Sequence, residues 1–126
     1  MGLFSNSKVE EYETMSKMKE EYLRNTKKYL GVVSSEAEAL ARDAGRKKRE
    51  LDECDEEIEK LHRYAERAVI AEDDEDAKQY LVKKFVLIEK REKLKLAYEY
   101  AAAEADKKCQ ERDGLINEIN VLEAEA

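Results

Sequence analysis

The sequence predicts an all-α protein: a long antiparallel helical hairpin of coiled-coil type, preceded by a shorter N-terminal helix. Three observations carry this. The 126 residues contain no proline, the strongest helix breaker and a common loop residue. Charged residues make up 44%, against about 25% in an ordinary globular domain. Apolar residues, 42% of the chain, recur largely in alternating steps of three and four. So much charge argues against a thick core, and so much apolar content argues against a disordered acidic chain. Long helices with narrow apolar seams and wide wet faces remain.

Residues 1–30 read as a loose leader of about seven residues and an amphipathic helix. Val9, Tyr12, Met15, Met18, Tyr22, Leu23, Tyr29 and Leu30 recur mostly at threes and fours. Residues 8–30 carry six basic and five acidic side chains, so the −8 of residues 31–126 sets the net charge of −7. Gly31 to Ser35 predicts an interruption. Glycine suits the position after a helix, and Ser35 with Glu38 three residues on forms a capping-box pattern.

Residues 31–126 read as the hairpin, with helices over about 34–71 and 75–123 and a turn near 72–74. The first helix has a clean heptad: Leu30, Val33, Ala37, Leu40, Ala44, Lys47, Leu51, Cys54, Ile58, Leu61, Ala65 and Ala68. Such sustained alternation is a coiled-coil seam with a left-handed supercoil. Glu72-Asp73-Asp74-Glu75-Asp76 then places five acids in a row. Acids at a helix start complement its dipole, and Asp73 or Asp74 serves as cap, so a cation site is not needed to explain them.

The second helix has a looser seam: Ala77, Leu81, Lys84, Ile88, Arg91, Leu94 or Lys95, Tyr98, Ala102, Ala105, Cys109, Arg112, Ile116 and Ile119. A flanking stripe holds Tyr80, Leu87, Leu94, Tyr98, Ala101, Leu115, Ile119 and Leu122. Two adjacent stripes allow this helix more than one partner. Folding at residue 73 makes facing residue numbers sum to about 146. Leu61 then meets Phe85, Ile58 meets Ile88, Leu30 meets Ile116, and His62 lies level with Lys84. Small residues coincide at Ala44–Ala102, Ala41–Ala105 and Ala37–Cys109. The two cysteines are then about 25 Å apart at 1.5 Å per residue, too far for a disulfide. Residues 8–29 face no partner in this hairpin, so they fold back as a third helix, overhang, or pack on another molecule.

Most chemistry is disfavoured. With a single histidine, a His-rich metal site within one chain is out. Glu59-x-x-His62 has the spacing of di-iron bundles, but those need two such pairs and two further Glu. Two cysteines without a CxxC form neither a zinc ribbon nor a disulfide framework. The four glycines build no phosphate-binding loop. No apolar run approaches a membrane span, and the start is not a secretory signal. It nearly matches a myristoylation site, but Asn6 stands where Ser or Thr belongs. The basic run Arg46-Lys47-Lys48-Arg49 is flanked by Asp43, Glu50, Asp52 and Glu53, so it reads as a solvated face. Nucleic acid is therefore not an expected partner. No catalytic pair stands out, and neither enzyme activity nor a cofactor is expected.

The opening Met1-Gly2-Leu3-Phe4-Ser5 resembles the M-G-[IL]-F-S start of the phage-shock protein A and plastid vesicle-inducing protein family. The stretch from His62-Arg63-Tyr64-Ala65-Glu66-Arg67-Ala68 through Glu75-Asp76-Ala77 to Leu87-Ile88-Glu89-Lys90 is similar to that family's hairpin turn. Lys47-Lys48 falls where the family tends to have basic residues. The resemblance covers about residues 36–123 and the first five. It implies an ESCRT-III-type hairpin, self-assembly, a cytoplasmic location, and binding of stressed anionic membranes through the N-terminal helix. Some bacterial members also restrain a transcriptional activator. Carried over, Leu3, Phe4, Val9, Tyr12, Met15 and Met18 are the lipid-facing set. Leu61, Ala65, Ala68, Phe85 and Ile88 hold the tip.

Two departures qualify the match. The N-terminal helix is more acidic than the family's and lacks its proline-containing link. The sequence also stops before the family's further C-terminal helices, so a short member with a narrowed role is expected. Self-association is expected, with an anionic membrane surface or a protein as partner. A soluble coiled-coil adaptor that never touches lipid is the alternative, and a ferritin-like metal bundle trails both.

Overall fold

The computed structural model describes residues 2–125, with side chains from residue 7 onward. Two helices, α1 (Gly2–Ile70) and α2 (Asp74–Ala124), are joined by a three-residue turn. They contribute to two compact units. Unit 1 comprises Met1–Glu38 and Asp106–Ala126, and unit 2 comprises Ala39–Ala105. Each unit is built from one stretch of each helix.

The turn reverses the chain without glycine or proline. Glu72 takes a left-handed backbone with φ 59°. Its N–H donates to Val69 O at 3.1 Å, and Asp73 N–H donates to Ala68 O at 2.8 Å. This pair of bonds is a Schellman motif, which satisfies carbonyls at the end of α1. Asp73 then starts the next helix: Ala77 N–H donates to its backbone O at 3.0 Å, and Asp76 N–H to its side-chain Oδ1 at 3.1 Å. Asp73 is thus the N-cap of α2. Asp74, Glu75 and Asp76 follow in the first turn, where negative charge favours the dipole.

In unit 2, α1 buries Ala44, Leu51, Cys54, Leu61, Ala65 and Ala68, while Leu40 and Ile58 are half-buried. Across the seam, Asp55 pairs with Arg91. The Lys48 ammonium lies 6.0 Å from the Tyr98 ring centre, and Lys84 Nζ lies 3.0 Å from His62 Nδ1. Each of these pairs sums to 146, the register set by the turn. Tyr64 and Tyr80 stack obliquely nearer the turn, ring centres 5.5 Å apart.

The α2 seam differs from the expected one. In unit 2, α2 buries Ala77, Ala101 and Ala105 and half-buries Tyr80, Lys84, Leu87, Ile88, Arg91, Leu94, Ala97, Tyr98, Ala102 and Glu104. The stripe expected to flank the seam therefore forms half of it. Leu81 is 37% exposed, Phe85 63% and, in unit 1, Ile116 39%, so these three are not seam residues. Ile88 is half-buried like Leu87, Ala102 is half-buried beside the buried Ala101, and Ala41 is exposed. The cause is degeneracy: Tyr80/Leu81, Leu87/Ile88, Ala101/Ala102 and Leu115/Ile116 each offer two adjacent side chains. Tyr80, Ala101 and Leu115 are covered more than their neighbours, whereas Leu87 and Ile88 are both half-buried. Lys84 and Arg91 occupy seam positions by laying their aliphatic stems along it and sending their heads outward.

Unit 1 corrects the expected break. Helix α1 runs through Gly31–Ser35 without interruption, so residues 8–30 are not a separate helix. Val33 and Ala37 are each only 1% exposed, and the three–four spacing passes straight through the glycine. Packing of the continuous heptad outweighs the cap signals. The heptad also extends backward to Leu23 and Thr26, which are enclosed. Thr26 occupies a seam position because its hydroxyl donates to Tyr22 O at 2.7 Å, leaving no orphan polar group. Residues 22–29 accordingly do face α2, contrary to the expectation that they meet no partner.

Both cysteines are free thiols. Cys54 is buried, Cys109 half-buried, and Cys54 Sγ donates to Leu87 O at 3.5 Å.

Candidate functional site

Within unit 1 the two helices are of unequal length. Helix α2 ends at Ala124, while α1 continues to Gly2. Near the end of α2, Lys19 and Leu23 of α1 and Leu122 and Glu125 border the same groove. Together with Tyr12, Met15, Ser16 and Glu20 they line its open volume of about 340 Å³. Earlier residues of α1 overhang the end of α2.

The overhang carries most of the expected lipid-facing set. Val9 is 55% exposed, Tyr12 75%, Met15 60% and Met18 64%. Leu3 and Phe4 lie outside the residues whose side chains are described. Thr14 Oγ1 donates to Glu10 O at 2.9 Å, so its hydroxyl is satisfied within the helix. Spacing at threes and fours places Tyr12, Met15, Met18 and Tyr22 on one side of α1. Glu13 and Glu20 border that side along one edge, and Glu21 along the other.

What anchors the overhang is a set of polar clamps. The Tyr22 hydroxyl donates to Glu118, and the Tyr29 hydroxyl donates to Glu111 Oε1 at 2.6 Å. Lys27 Nζ lies 2.7 Å from Glu123 Oε1. Lys108 Nζ bridges Glu36 at 2.9 Å and Glu111 at 3.2 Å. The two tyrosines are seven residues apart, as are their two glutamates, so each clamp repeats after two helical turns. Accepting bonds from Tyr29 and Lys108 holds the Glu111 carboxyl below its ordinary range. The same contacts push both tyrosine hydroxyls above theirs, through Glu118 for Tyr22 and Glu111 for Tyr29. Lys108 is pushed up to about 12 by its bonds to Glu36 and Glu111.

The polar residues singled out in the sequence behave as ordinary surface groups. His62 Nε2 lies 2.8 Å from Glu66, with the Lys84 ammonium at its other nitrogen. Among the described residues no three His, Cys, Asp or Glu side chains cluster as metal ligands. Lys47 and Arg46 both reach Asp43, and Lys48 reaches Asp52, so most of that basic run is paired along its own helix. Asp55–Arg91 is the one ion pair found linking the acidic stretch Glu50–Glu59 to the second basic zone, among the described residues.

A second exposed apolar surface in unit 2 was not foreseen as such. Leu81, Val82, Phe85 and Val86 of α2 are exposed. The signal was present in the sequence: Leu81–Ile88 is apolar on nearly every side except at Lys83 and Lys84. A helix apolar on all sides has more than one neighbour.

No helix among the described residues is long and apolar enough to cross a membrane. No family model matches the chain, and no solved structure matches it. Over 119 residues, 94% of its length, the chain is 34% identical to the phage shock protein A homolog of Bacillus subtilis strain 168. It spans about half of that relative, 52% of its length.

Proposed function

We propose, from a kinship with phage shock protein A that runs through nearly the whole chain, that this protein is a non-enzymatic scaffold. It acts by self-association and by peripheral attachment to a membrane or a protein partner, in the cytoplasm or at the inner face of the membrane. The observation that supports this reading best is the overhang. Val9, Tyr12, Met15 and Met18 stay exposed on a helix that folding has already ordered. A soluble chain gains nothing for its own stability from such a face, because only apolar area removed from water stabilises.

Lipid attachment and protein attachment make different demands on that face. Interfacial helices are normally rich in Lys and Arg, whereas this one carries Glu10, Glu11, Glu13, Glu20 and Glu21. The acids favour the second reading, a coiled-coil adaptor whose partner is a protein. Co-sedimentation with vesicles of phosphatidylglycerol, compared with phosphatidylcholine, separates the two. In the membrane reading the chain pellets with the anionic vesicles at low salt, and Met15→Glu with Met18→Glu abolishes pelleting. If the wild-type chain stays in the supernatant at low salt, the membrane reading fails and the adaptor reading stands.

A further inference from the structure

We infer that the overhang of one copy docks on the exposed α2 face of unit 2 in a second copy. The inference rests on the self-association proposed above and names the two surfaces that meet.

Both surfaces are exposed among the described residues. On α2, Val82, Phe85 and Val86 are exposed near the turn, with Leu96 and Tyr100 exposed further along. Steps of four and three from Val82 to Tyr100 keep Val82, Val86, Leu96 and Tyr100 on the side away from the α1 seam. This surface is basic. Between Lys78 and Tyr100 the helix carries seven basic and three acidic side chains, and Glu89 and Lys93 stand on the apolar side itself. Arg91 alone among them is seen in an ion pair with α1 among the described residues. Lys83 and Lys90 lie along one edge of the apolar side, and both are exposed.

The overhang is the chemical complement. Its exposed apolar side is bordered by Glu13 and Glu20 on one edge and Glu21 on the other. Lys8, Glu11 and Lys19 share that side, and residues 8–21 carry five acidic and three basic side chains. Acidic borders repel an anionic bilayer but suit an apolar surface edged with lysine. Complementary charge of this kind also fixes which partner and which direction is accepted. The lengths agree too. Val9 to Tyr22 spans about 20 Å at 1.5 Å per residue, and Val82 to Tyr100 about 27 Å. The two surfaces differ, so the contact is heterologous, and every copy offers one surface and accepts on the other.

Two charge-reversed full-length chains test this. The first is Lys83→Glu with Lys90→Glu, and the second is Glu13→Lys with Glu20→Lys. All four positions are exposed, and circular dichroism checks that both variants remain helical. Sedimentation velocity over a concentration series at low salt is the readout. Each variant alone is expected to weaken association at least tenfold. Mixed one to one, the two are expected to associate again, because reversed overhang then meets reversed α2 face. Self-association of each variant alone as strong as that of the wild-type chain overturns the docking while leaving self-association intact. Variants that weaken association but are not restored by mixing also overturn it. A wild-type chain that stays monomeric at all concentrations overturns both proposals. If it does so and pellets with anionic vesicles, the overhang belongs to lipid instead.

Discussion

The two units are made from the same two helices and are held by opposite means. Unit 2 closes at a capped turn and buries Leu51, Cys54, Leu61 and six alanines of its two seams. Unit 1 has an open end, a core centred on Val33, Ala37 and Ile119, and polar clamps where the helices stop matching in length. One relies on enclosed side chains and a well-bonded corner, the other on hydroxyl and ammonium contacts to carboxylates at the surface. The difference shows how a narrow seam is kept in register: by a turn at one place and by paired polar contacts at another.

The comparison is broken most forcefully in unit 2. Leu61→Ala removes a buried seam side chain and is expected to cost about 2 kcal/mol or more of unfolding free energy. Phe85→Ala, 24 positions along, is expected to change it by less than about 0.5 kcal/mol, because its ring is exposed. Urea unfolding at a concentration where the chain is monomeric measures both. Equal losses at the two positions show that Phe85 is enclosed in solution.

The turn is the next largest effect. Asp73→Ala deletes the α2 N-cap and is expected to cost about 1 kcal/mol, read in the same denaturant series. Asp73→Ser keeps a capping oxygen and is expected to restore most of it. If alanine and serine are equivalent, the register of unit 2 does not depend on that cap.

The smallest effect belongs to unit 1. Tyr22 and Tyr29 donate to glutamates, so their ionisation is shifted upward from the ordinary tyrosine range near 10. A hydroxyl raised in the folded state contributes its stabilisation fully below the unfolded pKa and loses it as pH rises through the folded value. Absorbance titration at alkaline pH is expected to show two of the seven tyrosines ionising after the rest. In Tyr22→Phe with Tyr29→Phe the late component disappears. A late component that survives in the double variant assigns it to other tyrosines.

Much of the architecture was legible in the residues. The α1 seam from Leu30 to Ala68 was read position by position, because its apolar residues form one stripe and periodicity then has one answer. The turn and the 146 register followed from the acids at 72–76. The α2 seam was misplaced by one residue at alternate positions. Where Ala101 precedes Ala102, hydrophobicity gives no preference, and the partner helix decides which is buried. The break at Gly31 was read from local signals, whereas the outcome was decided by Val33 and Ala37, which bury against α2. The pairing of residues 22–29 was missed for a related reason. Thr26 and the tyrosine clamps are polar, so they leave no apolar trace at the seam. The exposed set Val9, Tyr12, Met15 and Met18 was legible as an amphipathic face. What covers it was not, since apolar spacing describes a surface and not its occupant.

The left-handed residue at the turn has a consequence for the polarity of any assembly. A glycine at position 72 relieves the backbone, yet the chain keeps glutamate there and accepts the strained conformation. The corner of the hairpin is therefore an unbroken block of five carboxyl groups. Two copies approaching corner to corner meet like charge at the point of first contact, where water gives way least to apolar surface. Like charge at that corner therefore disfavours corner-to-corner pairing of two copies.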